Sequence, residues 1–416
     1  MTPTATRRAC YTGYVTQAVV NNLAPLLFIV FQRRYDVPLD VLGRLVLLNF
    51  ATQLVTDVVA VKVVDRVGYR VPLVLAHVLA VAGLLLLAAG PQWGPSPAAG
   101  LAVAVVVYAV GGGLLEVLVS PVVEALPSPA EGKAAQMSLL HSFYCWGQVA
   151  VVVGTTLLLA AIGEQNWQLL PVLWALVPLA NLVVFTRVPL PDTVPDEHRT
   201  SLTSLLRAPA FAAVLLLMLA AGAAELTMSQ WSSLYAEQGL GVGKVAGDLA
   251  GPALFAVLMG LGRMAYGLLG TRVPLVPALT VSGVLAAACY VLAAASPSPV
   301  ASLVGCAVCG LAVSLLWPGA FSLAAARFPL GGAAMFGVLA VAGDAGGAVG
   351  PWAAGVLAEA STSSSGVLQR LSAALPADDG SGLRVGILLA VAFPVLVVVA
   401  AGSFAVLQRR RPGSAA

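Results

Sequence analysis

Apolar stretches long enough to cross a bilayer recur along this chain from residue 10 to residue 406. A span of about 20 apolar residues covers the roughly 30 Å of hydrocarbon in a membrane. Composition agrees: hydrophobic types make up 59% of the 416 residues and charged types only 9%, too little charge to cover the surface of a soluble protein of this length. The sequence therefore reads as an all-α membrane protein that crosses the bilayer many times.

Twelve spans are predicted, at 10–31, 41–62, 71–90, 98–125, 135–161, 167–186, 211–236, 247–270, 274–295, 299–325, 333–359 and 385–406. Short links rich in Pro, Gly and Ser join most of them, such as 91–95 and 296–299. The longest polar stretches are 187–210 and 361–384. The first is the natural linker between an N-terminal six-helix bundle at 1–186 and a C-terminal one at 211–416. With the N-terminus placed inside, fourteen of the 21 Lys and Arg fall on the inner side, five on the outer side, and Arg44 and Arg263 within spans. That bias predicts a cell-membrane protein with both termini cytoplasmic. Nothing in the N-terminal stretch reads as a cleavable signal: it continues too long beyond Arg7-Arg8 and turns polar at Asn21-Asn22. All five cysteines lie in apolar segments, and the pair Cys306 and Cys309 reads as small apolar packing residues, with no His or second pair nearby to make a metal site.

The halves repeat. Span four runs from Gly113-Leu114 to Ser120-Pro121, and span ten from Gly310-Leu311 to Trp317-Pro318, with Gly-Leu and the later Pro equally spaced. Span two ends in Asp65-Arg66-Val67-Gly68-Tyr69-Arg70, and span eight in Gly267-Leu268-Leu269-Gly270-Thr271-Arg272. Duplicated halves put a site between them near the midplane. In this register Glu116 corresponds to Val313, so an acid at this level belongs to one half only.

The segment from Asp65 to Arg70 resembles the signature that follows span two in the major facilitator superfamily, except that the usual Gly four residues before the acid is Val61. The resemblance implies two pseudo-symmetric six-helix bundles, with Asp65, Arg66 and Arg70 in a cytoplasmic latch. Within the superfamily the chain is most similar to the fucose–proton symporter group, through Asn21-Asn22-Leu23 in span one, Glu116 followed by Pro121 in span four, and Trp317-Pro318 leading to Phe321-Ser322 in span ten. It departs from that group where an acid is expected two residues after the Asn-Asn-Leu triplet, a position held by Pro25.

Ionisable groups inside spans cost roughly 2.5–3.5 kcal/mol at a helix centre, so Asp57, Glu116, Glu225 and Asp344 require explanation. Glu116 follows Gly111-Gly112-Gly113, a run that lets a neighbouring helix come close. It is expected to exchange a proton or bind a substrate hydroxyl, against the alternative of a structural hydrogen bond. With Pro25 in place of the second acid, Glu116 would act alone or with Glu225, Asp344 or His141. His141 lies among Ser138 and Ser142, and its ordinary pKa near about 6.5 suits a relay. Asp57 and Arg263 fall at equivalent positions of the two halves and are expected to gate the path, either paired across the halves or each within its own latch. Asn21 and Asn22 need polar partners within a span. Together with Asn49, Trp146, Gln148, Gln230, Trp231 and Trp317 they are the expected substrate contacts, since amides beside aromatic planes are how sugar sites are built.

No Walker sequence, HExxH or nucleophile elbow is present. The expected protein is not an enzyme. It is a secondary active transporter of a small polar solute, a sugar or polyol, worked by alternating access and coupled to protons. The alternatives are an exporter of amphipathic compounds, a passive facilitator or a non-transporting receptor. No cofactor, metal or nucleic acid is called for. The expected partners are the small-molecule substrate, protons and the lipid bilayer, with the chain acting as a monomer.

Overall fold

Hydrocarbon offers no partner to a backbone N–H or C=O, so a chain this apolar must satisfy its backbone within helices. The computed structural model describes residues 2–93, 95–127, 133–191, 201–269, 273–363, 366–376 and 381–409, and the side chains of Asp65 and Arg66 lie outside the described set. Every regular element among the described residues is helical. The first half contains α1 (Pro3–Leu26), α2 (Phe28–Tyr35), α3 (Leu39–Val67), α4 (Arg70–Trp93), α5 (Pro97–Ala125), α6 (Lys133–Ile162) and α7 (Leu169–Phe185). A short α8 (Leu202–Arg207) precedes α9 (Pro209–Leu234), α10 (Lys244–Asp248), α11 (Leu254–Leu269), α12 (Leu275–Ala295), α13 (Pro299–Val313), α14 (Leu316–Arg327), α15 (Gly332–Ser363), α16 (Val367–Ala374), α17 (Ser381–Leu389) and α18 (Ala392–Arg409).

Among the described residues, ten segments are long and apolar enough to cross a membrane, and α1 with α2, bent by 43°, makes an eleventh if the pair is one span. The shorter apolar helix α7 falls where the sixth span is predicted. Proline explains most of the broken spans, because its ring displaces the carbonyl four residues back. Pro25 sits just before the bend at Leu27, Pro318 follows the break between α13 and α14, and Pro394 follows the break between α17 and α18. Gly68 stops α3 in the conformation φ 74°, which a side chain would strain, so α4 can begin two residues later.

Lipid-facing sides are apolar stripes at helical spacing, as in α7, where Leu169, Leu173, Leu176 and Val183 are exposed. Inside, the packing repeats. The neighbours α1–α6, α3–α5 and α4–α7 recur as α9–α15, α11–α13 and α12–α18. Two further seams, α6 against α11 and α3 against α15, exchange under the same two-fold relation. These two seams join the first seven helices to the later ones, and the functional groups collect along them. Residues 192–200 of the expected linker lie outside the described residues.

Small residues set the helix separations. A methyl on Gly346 of α15 would run into the Leu219 carbonyl of α9, whereas one on Gly43 meets nothing within 4 Å. Gly346→Leu is expected to lower stability by at least the roughly 1–3 kcal/mol typical of overpacking. Thermal unfolding of the purified protein in detergent should separate it from Gly43→Leu, which leaves the melting temperature nearly unchanged.

Candidate functional site

The polar residues of α1 recur at Tyr14, Gln17 and Asn21, steps of three and four that place them on one helix face. Across from them α5 presents Glu116, and Gln17 Nε2 donates to Glu116 Oε2 at 2.5 Å. On α3, Asn49, Gln53 and Asp57 form a matching row. Asn21 Oδ1 accepts from Asn49 Nδ2 at 3.2 Å and from Gln53 Nε2 at 2.8 Å. Tyr14 shares hydrogen bonds with Ser120 Oγ at 2.8 Å and His141 Nε2 at 3.2 Å. Helices α1, α3, α5 and α6 of the first half are thus tied by polar side chains that have no other solvent in hydrocarbon.

Arg263 of α11 brings in the second half. Its Nη2 meets Glu225 Oε2 of α9 at 3.0 Å, and its Nε donates to the Ser314 carbonyl at 2.9 Å. Ser314 is four residues before Pro318, so the proline that breaks this span also frees the carbonyl that Arg263 takes. The remaining nitrogen, Nη1, reaches across the seam to the His141 carbonyl at 3.2 Å and Cys145 Sγ at 3.3 Å. Every guanidinium nitrogen therefore has a partner, as a buried cation requires. Further bonds run from α6 to the second half: Ser138 Oγ donates to the Arg263 carbonyl, Gln148 Nε2 to Ser229 Oγ of α9 at 3.1 Å, and Thr156 Oγ1 to Asp248 Oδ2 of α10 at 3.3 Å.

Between the halves lies a cavity of about 40 Å³ lined by residues of both, among them Tyr14, Gln17, Asn21, Glu116, His141, Tyr144, Glu225, Arg263, Trp317 and Asp344. One water needs roughly 10–15 Å³ on this measure, so the space is that of a few waters. Its polar groups outnumber their partners. Trp317 Nε1 and Gln17 Oε1 are buried without any, and Asp344 Oδ2 likewise. A much smaller space, about 10 Å³, continues from Asn21 past Asn49 and Phe50.

Of the residues expected from the sequence, Asn21, Glu116, His141, Glu225, Arg263, Trp317 and Asp344 line the main cavity. Asn49 lines the smaller one. Asn22 turns back to the Ala18 carbonyl at 2.9 Å and reaches Tyr144 at 3.4 Å, and Gln148 sits on the seam. Trp231 Nε1 donates to the Pro351 carbonyl at 3.0 Å, while Trp146 packs its ring against Gly260. Trp231, its neighbour Gln230 and Trp146 are only half-buried. Arg70 donates twice, at 2.9 Å, to the Phe185 and Val188 carbonyls, where a cation suits the end of α7. Of the two arrangements open to Asp57 and Arg263, the cross-half ion pair is not formed: Arg263 is matched to Glu225, and Asp57 lies against Gly113 and Asp344. The latch expected at Asp65 and Arg66 depends on side chains outside the described residues. Tyr14, Gln17 and Gln53 are site residues that the cost of buried charge does not flag, although the helical spacing of Tyr14-Gln17-Asn21 and Asn49-Gln53-Asp57 carries the signal.

Removing one member of a buried ion pair typically costs about 3–5 kcal/mol, because the other is left charged and unmatched. Arg263→Ala should therefore melt far below the wild type in detergent. Arg263→Ala combined with Glu225→Gln should recover part of that loss, and an additive double variant would mean the two groups are not coupled.

The profile of the Major Facilitator Superfamily matches residues 11–351. No curated protein sequence matches the chain significantly. Among solved structures, the E. coli fucose:proton symporter FucP is similar over 98% of both chains, with a TM-score of 0.71 at 15% identity. FucP in the outward conformation gives 0.72 at 16% identity, covering 98% of this chain and 99% of that one. The proton:xylose symporter XylE bound to 6-bromo-6-deoxy-D-glucose gives 0.77 at 13% identity, covering 99% of this chain and 96% of that one. At such identities the likeness is one of fold, and the profile match carries the assignment: the chain is a multi-pass membrane transporter belonging to the Major Facilitator Superfamily.

Proposed function

We propose that this chain is a secondary active transporter that moves a small polar solute, a sugar or polyol, by alternating access, and that Glu116 carries the coupled proton. The observation behind this reading is the central cavity, in which Glu116 is bonded to a neutral amide, while the one cation among the lining residues, Arg263, is already matched to Glu225. A carboxyl without a counter-charge in a low-dielectric site can be neutralised by a proton, and a passing solute hydroxyl can replace the Gln17 contact. The titrating set would include Asp344 and His141, both of which line the same space. Two sugar:proton symporters among the structural neighbours make the solute class the first to test.

In this reading the bundles 1–186 and 211–416 rock about the seams α6–α11 and α3–α15, exposing the cavity to each side in turn. Both termini face the cytoplasm of a cell-membrane protein that works as a monomer, as the distribution of Lys and Arg suggests for its orientation. No nucleotide-binding sequence is present, so in this reading an ion gradient supplies the energy, the alternative being passive transport. An exporter of amphipathic compounds is the second reading, favoured by the apolar walls that Phe50, Leu226 and Trp317 add to the cavity.

Proteoliposomes with an imposed pH gradient, acid outside, should accumulate the solute, and Glu116→Gln should abolish accumulation while leaving exchange down a solute gradient. Full gradient-driven accumulation by Glu116→Gln would overturn the proton role. A thermal-shift panel of sugars, polyols and amphipathic drugs should pick out the solute class, because a ligand of the folded state raises its apparent stability. For the stabilising compound, Trp317→Phe should weaken binding by about 0.5–1.5 kcal/mol, the net worth of one hydrogen bond from the unpartnered Nε1.

A further inference from the structure

The α3–α15 seam carries a pair of acids, of which Asp344 also borders the cavity while Asp57 is not among its lining residues. Asp57 lies ten residues before the end of α3 at Val67 (67 − 57), and Asp344 twelve residues after the start of α15 at Gly332 (344 − 332). Packing of α3 against α15 brings them to one level, with their carboxyls close enough to interact. Asp57 is fully buried and Asp344 is 2% exposed. Both oxygens of Asp57 and Oδ2 of Asp344 have no donor.

Gln53, one turn before Asp57 on α3, carries a further acceptor without a donor. It is fully buried, its Nε2 is spent on Asn21, and its Oε1, which lies against Gly112, is left with no donor. Gly113 on α5 leaves the slot in which Asp57 Oδ1 sits, since a methyl there would come within 3.0 Å of that oxygen.

Charged and titratable groups on the surrounding helices are engaged elsewhere. Glu116 of α5 is an acid bonded to Gln17, and Glu225 of α9 is matched by Arg263 of α11. On α4, His77 is turned to the Leu73 carbonyl and Asn181, and Arg384 of α17 donates to the Ala294 and Ser296 carbonyls. Two carboxylates in such contact cannot both stay ionised, and carboxyl pairs of this kind hold one proton between them. The unpartnered oxygens have almost no solvent exposure, which disfavours a hydrated ion between them, whereas a shared proton needs only contact.

We propose that Asp57 and Asp344 share a single proton that latches α3 to α15 across the two halves, and that loss of this proton to the entering water opens the seam. The inference rests on the alternating-access reading and assigns the pair a role separate from that of Glu116.

The test is a spin-label distance between Val67→Cys at the end of α3 and Leu330→Cys before α15, both exposed positions, read by pulsed electron resonance in liposomes without solute. The five native cysteines are buried. The long-distance population should rise at least about ten-fold between about pH 5 and about pH 9. Asp57→Asn, whose amide can donate to Asp344, should hold the short distance throughout, and Asp344→Asn serves if the first variant does not fold. Glu116→Gln should leave the response intact. The proposal is overturned if the wild type does not respond to pH, if both Asn variants respond like the wild type, or if the distance follows sodium at constant pH. Loss of the response in Glu116→Gln alone would overturn the latch while favouring Glu116 as the proton site.

Discussion

A charge or amide inside hydrocarbon has to find its partner within the protein, and this requirement organises the whole molecule. The backbone meets it by forming helices. Side chains meet it by turning away from lipid, so the polar faces of α1, α3, α5, α6, α9, α11 and α15 converge on the axis between the halves. The result is a set of bonds linking those faces: Asn49 and Gln53 to Asn21, Gln17 to Glu116, Tyr14 to Ser120 and His141, and Arg263 to Glu225. The cavity lies where these groups fail to saturate one another.

Arg263 shows how local and global constraints meet. Pro318 breaks its span and releases the Ser314 carbonyl, Glu225 supplies the counter-charge, and the remaining contacts come from α6 in the other half. One buried cation therefore ties three segments of the second half to the first. With that cation satisfied, Glu116, Asp57 and Asp344 are left as acids without a basic partner among the described residues, an imbalance suited to taking up and releasing a proton. Small residues make the crowding possible, since Gly113 admits Asp57 beside α5 and Gly346 admits the Leu219 carbonyl beside α15.

Much of this is legible in the amino-acid order. The spans follow from apolar length, and Pro25, Pro318 and Pro394 stand at the broken ones, although a proline within an apolar run does not by itself say how far its helix bends. Among site residues, Glu116, Glu225, Asp344, His141 and Arg263 stand out because ionisable groups are costly in a span. Gln17 and Gln53 do not, because a neutral amide in an apolar helix carries a smaller cost, although each completes a row at helical spacing with a residue that does stand out. The ion partner of Arg263 is open to the wrong choice, because equivalence between repeats says which positions correspond and not which side chains touch.

By itself the sequence determined the all-helical, many-spanning architecture, its internal duplication and the short list of buried charges, since each is a matter of composition and periodicity within single helices. The tertiary structure decided which of those charges meet. That Arg263 goes to Glu225, that Glu116 takes an amide and that Asp57 faces Asp344 all depend on the rotation and depth of helices packed from distant parts of the chain. In hydrocarbon a shift of one residue turns a side chain about a quarter of the way round its helix, so contacts between spans are decided only when the helices lock together.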